Sequence, residues 1–186
     1  MISNSRAYQY ALWCTQDESG KVGKYVKKQA KLWLDIANNK DDEAYIHKSD
    51  FNLITNLLKI MVHPDLRQSM YDSLEDYQWF FVIAVLCTRY KKDNSRYYET
   101  ALLEISRKNF KTFTSAIVFI ILLIIEPQFC RFFSVAPNYK LSCELKLAVD
   151  KIIKCSPALR DKFKINSDVV SCKLNDSNYT PLAFSN

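Results

Sequence analysis

Glycine is almost missing: the 186 residues contain two, Gly20 and Gly23, so there is no flexible glycine linker and no low-complexity tract. Proline is scarce as well, with five, and no internal repeat is visible. The six cysteines, at 14, 87, 130, 143, 155 and 172, form no C-x-x-C pair, and His47 and His63 have no Cys or His at ligand spacing. Those absences exclude a zinc motif and leave free thiols in a reducing cytoplasm as the expectation. No apolar run is long enough to span a bilayer; the longest, 116–125, suits a buried helix, and residues 1–13 are too polar for a signal peptide. One further absence concerns chemistry. After Thr112 no apolar strand ends in Asp-Glu: Asp150, Asp161, Asp168 and Asp176 lack such a lead, and Asp41, Asp42 and Glu43 lie in a polar loop.

What is present is enough for one substantial core, at 48% hydrophobic residues. The 26 basic against 20 acidic residues leave a formal charge of +6, an excess that favours polyanions without requiring them. Residues 21–38 read as an amphipathic helix: Val26, Ala30, Trp33 and Ala37 share one face, Lys24, Lys27, Lys28 and Lys31 the other. The lysine face is a candidate DNA contact or an ordinary solvated surface. A second helix is expected from a Ser49 cap, burying Phe51, Ile54, Leu57, Leu58 and Met61 and stopping at Pro64. Tyr77, Gln78 and Trp79 then lead into the apolar run 79–87.

The stretch 99–125 organises the rest. Leu102, Leu103 and Ile105, after the turn signal 93–95, suggest a buried strand over 97–105. The polar residues 106–109 follow, and Lys111 and Thr112 open a core helix. Strand, polar loop and a helix headed by Lys-Thr make the layout of a nucleotide-phosphate site. Free N–H groups and the positive end of the helix dipole attract an anion, the lysine adds a point charge, and the threonine hydroxyl can ligate magnesium. In G-x-x-x-x-G-K-[ST] the glycines would fall at Ile105 and Phe110. Phe110 must therefore sit at ordinary φ or carry strain of roughly 1–3 kcal/mol. An ordinary basic loop before a core helix fits the same residues.

Beyond the break at Pro127, 131–136 reads as a second buried strand, so that strand, helix and strand imply a right-handed parallel unit. A third helix is expected over 140–155, with Leu141, Leu145, Ala148 and Ile152 inward, ended by Pro157. From 140 to 164 seven basic residues face three acidic ones, a second candidate polyanion surface. Two short strands, 168–174 and 179–184, suggest a hairpin across 175–178.

The runs 105–112, 132–137 and 179–183 together resemble the large terminase subunit of tailed bacteriophages. In that family the phosphate loop lacks its first glycine and carries an arginine four residues before the lysine, as Arg107 precedes Lys111. The resemblance covers only the first part of such a protein. It implies an α/β, P-loop NTPase-like parallel sheet core, incomplete at its C-terminal side, over 71–186, with a helical lead-in over 1–70. It implies ATP and Mg2+ as cofactors: Ser106, Lys108, Asn109 and Phe110 line the loop, Lys111 meets the β/γ phosphates and Thr112 the metal. Arg107 faces the developing γ-phosphate charge, and Gln78 pairs with adenine through its carboxamide. The implied partners are double-stranded DNA, a small terminase subunit, a portal protein and further copies in a motor ring, inside a bacterial host. With the acidic strand and the nuclease domain missing, the expectation is a truncated or split subunit that at most binds nucleotide, does not hydrolyse it and does not cleave DNA. A DNA- or protein-interaction module and a nonfunctional remnant are the alternatives.

Overall fold

The computed structural model describes residues 2–184. After a short 3-10 turn the elements run α1 (Arg6–Gln16), α2 (Lys24–Ala37), β1 (Ala44–Ile46), α3 (Lys48–Ile60), α4 (Met70–Ser73), α5 (Asp76–Cys87) and β2 (Thr88–Tyr90). They continue with α6 (Lys111–Ile125), β3 (Arg131–Ala136), α7 (Tyr139–Cys155), α8 (Pro157–Arg160), β4 (Phe163–Ile165), β5 (Val170–Cys172) and β6 (Asn178–Ala183). The chain divides into two compact units: the residues up to Ile54 with Leu74–Leu103, and Thr55–Ser73 with the residues from Glu104 onward. Of 71–186, read on the sequence as one partial domain, 74–103 fall in the first unit and 104 onward in the second.

The first unit is helical. Ser5 caps α1 by accepting the Tyr8 N–H at 3.2 Å, and Ala7, Ala11 and Cys14 form a small-residue stripe where α2 and α5 pack closely. Helix α2 buries Ala30, Trp33, Leu34 and Ile36, close to the expected amphipathic face except that Val26 is exposed. Helix α5 is apolar all round, as a central helix must be. Its Phe80 meets Trp33 edge to face at 5.5 Å. Strands β1 and β2 pair antiparallel, Ala44 opposite Tyr90, and the Arg89 guanidinium grips Asp50 at 2.6 Å. Helix α3 starts one residue before the expected Ser49 cap, with His47 Nδ1 accepting from the Asp50 N–H. Phe51 is only half-buried and Ile54 is buried; the division between the units falls after Ile54, and Leu57, Leu58 and Met61, buried as expected, belong to the second.

The second unit holds a mixed sheet in the order β3-β6-β5-β4. Strands β3 and β6 run parallel, Arg131 opposite Asn178 through Ala136 opposite Ala183; β6 with β5 and β5 with β4 are antiparallel. The hairpin read across 175–178 is present. Pro181 sits inside β6 because β5 pairs only with Asn178 and Tyr179, so no ladder bond is asked of the missing N–H. Helices α6 and α7 pack on each other, and Phe119 of α6 lies edge-on to Tyr179 of β6 at 4.7 Å.

Two expectations are corrected. No strand forms over 97–105: Glu99 and Glu104 interrupt the apolar residues, Leu102 is 83% exposed, and a strand with no consistently apolar face has nothing to fix its pairing. The parallel unit therefore does not run from 97–105 through α6 to β3; the parallel pair is β3 with β6, connected through α7, α8 and the β4-β5 hairpin. Strand β3 has the expected bounds but alternates exposed and half-buried residues rather than being buried. Among the described residues no helix is long and apolar enough to cross a membrane.

Candidate functional site: the loop that opens α6

Residues 106–110 form an exposed turn in the second unit that delivers the chain into α6. Asn109 Nδ2 donates to Ser106 Oγ, closing the turn. Two non-glycine residues take the left-handed conformation, Lys108 at φ 67 and Phe110 at φ 55. Of the two outcomes open to Phe110, the strained one is observed. It is the N-cap of α6 without a side-chain cap, and its carbonyl accepts both the Thr114 N–H at 2.8 Å and the Thr114 hydroxyl at 3.0 Å.

Because the ladder begins with Thr114 to Phe110, the N–H groups of Lys111, Thr112 and Phe113 have no partner within the helix. Around them Arg107, Lys108 and Lys111 supply three cations, and Lys111 and Thr112 are exposed. This donor set suits the oxygens of a phosphate chain. The Thr112 hydroxyl is of the kind that ligates a hard cation such as magnesium. The Phe110 ring, 54% exposed, occupies space that a glycine would leave open.

Behind the loop lies an aromatic cluster that sequence reasoning missed. The Phe110 ring centroid is 6.3 Å from that of Phe113, and Phe113 meets the His63 ring at 4.6 Å with the two planes tilted. His63 Nδ1 accepts the Asp65 and Leu66 N–H groups at 3.2 Å each, and burial pushes its imidazole pKa down. A neutral His63 thus ties the 63–68 loop to the first turn of α6. The sequence signal was the Pro64 turn following a lone histidine.

Ser106 to Thr112 are brought together by contiguity. Gln78 belongs to the first unit, where it is 2% exposed and its Oε1 accepts the Glu75 N–H at 2.9 Å in a capping box opening α5.

A second polar cluster also went unread. On α7, Lys146 Nζ meets Asp150 Oδ2 at 2.8 Å with both residues buried. One turn earlier Ser142 Oγ lies 2.9 Å from Ser134 Oγ of β3, which is 2.8 Å from the Tyr179 hydroxyl of β6. These contacts pin α7 to the parallel strands. The i, i+4 spacing of Lys146 and Asp150 was the available signal. Among the described residues no group of three or more His, Cys, Asp or Glu side chains is placed to hold a metal ion.

No protein-family model matches the sequence, and no curated protein matches it. Among solved structures the chain is similar to the large terminase of bacteriophage HK97, with a TM-score of 0.60 and 20% sequence identity. The match covers 72% of this chain and 27% of that one, so the chain spans little more than a quarter of the terminase it resembles. The mixed α/β architecture described above is a fold shared with part of a phage large terminase.

Proposed function

We infer that this chain is a terminase-like nucleotide-binding fragment in which the start of α6 takes the phosphates of ATP. The observation that carries the reading is the pairing of that shared fold with the left-handed Phe110 immediately before Lys111 and Thr112. A backbone turned into the left-handed region at the N-cap aims successive N–H groups outward, the arrangement by which loops hold anions.

In this reading Lys111 neutralises the β/γ oxygens, and the backbone donors of 111–113 fix their position. Thr112 holds the Mg2+ that accompanies the nucleotide, and Arg107 lies near the terminal phosphate. Ser106, Lys108 and Asn109 shape the loop, and Phe110 limits how closely the backbone approaches. Hydrolysis requires, besides these groups, a carboxylate for the metal and another for water. Double-stranded DNA, a small terminase subunit, a portal protein and further copies of the chain are the proposed partners, with the host cytoplasm as the setting.

The test is titration of a fluorescent ATP analogue with Mg2+ into the purified chain and into Lys111→Ala. Saturable binding lost by at least about tenfold in the variant supports the site. Equal binding by both removes it.

A second reading rests on α2, where Lys24, Lys28 and Lys31 are exposed. A DNA-interaction module would use them, and its binding to duplex DNA would fall steeply with salt.

A further inference from the structure

The sheet of the second unit has two unlike faces. Phe132 and Ser134 of β3 and Tyr179 of β6 point toward α6 and α7. Alternation turns Arg131, Phe133 and Val135 of β3, Asn178, Thr180 and Leu182 of β6, Ser171 of β5 and Lys164 of β4 to the other side.

Register sorts that outer face into rows. Lys164 lies opposite Ser171, Ser171 opposite Asn178, and Asn178 opposite Arg131, a polar row with a cation at each end. Next comes Phe133 opposite Thr180, then Val135 opposite Leu182, with Phe184 following β6. The apolar end is open to solvent: Phe133 is 49% exposed, Val135 61%, Leu182 40% and Phe184 84%. Neither Arg131 nor Lys164 makes an ion pair with a described residue.

We propose that this face docks an amphipathic α-helix from a partner, its apolar stripe over Phe133, Val135, Leu182 and Phe184 and its carboxylates over Arg131 and Lys164. A helix is the fitting occupant because the apolar patch lies on β3 and β6, the parallel pair of this mixed sheet, parallel ladders are covered by helices on both faces, and α6 and α7 already cover the other. The six residues of β3 extend about 20 Å, the length of about 13 helical residues. The charge pattern sets the polarity, since an unpaired cationic row beside an apolar one calls for acidic residues at one end only. A second copy of this chain meets neither requirement. It would bring the same cations and no counter-charge, and four side chains expose on the order of a few hundred Å2, short of the about 800 Å2 per partner of a stable dimer. The surface does not depend on the nucleotide reading of α6.

The experiment titrates the full chain into two labelled synthetic helices of about 14 residues, read by fluorescence anisotropy. Both carry leucines along one stripe; one has glutamates in its first turn, the other lysines there. The glutamate helix is expected to bind at least about tenfold tighter than its twin, and Phe133→Ser with Val135→Ser to weaken it at least about tenfold. Arg131→Glu with Lys164→Glu is expected to reverse the preference. All four positions are exposed, and an unchanged circular-dichroism melt checks that each variant folds. Equal binding of the twins, undiminished binding by the serine variant, or no binding overturns the proposal. So does a dimer of the chain in sedimentation velocity that the serine variant dissociates, which would give the face to a second copy.

Discussion

Lys146 and Asp150 form an ion pair one turn apart on α7, with Nζ 2.8 Å from Oδ2 and each residue less than a tenth exposed. The other carboxylate oxygen, Asp150 Oδ1, is buried without a hydrogen-bond partner. Removing one charge leaves the other buried and uncompensated, so Lys146→Ala or Asp150→Ala is expected to lose about 3–5 kcal/mol. The double variant Lys146→Met with Asp150→Leu, which removes both charges and keeps volume, is expected within about 1 kcal/mol of the parent. Urea unfolding followed by circular dichroism measures both. Additive single-variant losses in the double variant would contradict the pairing.

Phe110 holds φ 55 at the N-cap of α6, a conformation a β-branched residue tolerates worse and glycine better. Phe110→Val is expected to destabilise by about 1–2 kcal/mol and Phe110→Gly to be neutral or stabilising by up to about 1 kcal/mol. Glycine also opens the loop, so nucleotide affinity should rise in the same variant that keeps stability. Thermal melts and ATP-analogue titration measured side by side separate the two effects.

His63 gives the fold a pH dependence whose sign follows from burial. Its folded-state pKa lies below the ordinary value of 6.5, so the unfolded chain takes up the proton first as pH falls. The contribution of neutral His63 is complete above that value. It is lost progressively as pH drops through 6.5 toward the depressed folded pKa. Urea midpoints at neutral pH and near pH 5.5 should differ less in His63→Asn, whose Oδ1 can accept the same backbone N–H groups without titrating in this range.

The cysteines divide by burial. Cys14, Cys87 and Cys172 are buried, and burial pushes each thiol pKa up, while Cys130, Cys143 and Cys155 are partly exposed. A thiol reagent on the native chain should modify only residues from the second group. Mass mapping before and after denaturation checks it, and early labelling of Cys87 would contradict the packing of α5.

The helices were legible because their burial is periodic. Trp33 and Ala30 of α2 and Ile54 and Leu58 of α3 point inward as their spacing requires, whereas on α7 Ile152 is buried beside Ser142, Lys146, Val149 and Ile153, and Leu141, expected inward, is 53% exposed. Strand pairing was less so. Leu102, Leu103 and Ile105 resemble a strand locally, yet no sheet neighbour takes them, and the partner of β3 lies beyond four intervening elements. Strand β4 escaped notice because three residues carry too little pattern. At the candidate site, Lys111 as the first residue of α6 was readable from the change in polarity. The left-handed Phe110 was not, since a phenylalanine gives no local signal for positive φ. The support from His63 and Phe113 depends on residues fifty positions apart in the chain.

The most direct test of phosphate binding at α6 is a titration of the isotope-labelled chain with Mg-ATP, following backbone amide shifts by NMR. The expected result is saturable movement of Lys108, Lys111, Thr112 and Phe113, abolished in Lys111→Ala. Amides of the α6 loop that stay still at saturating nucleotide, or shifts confined elsewhere and indifferent to Lys111, would contradict it.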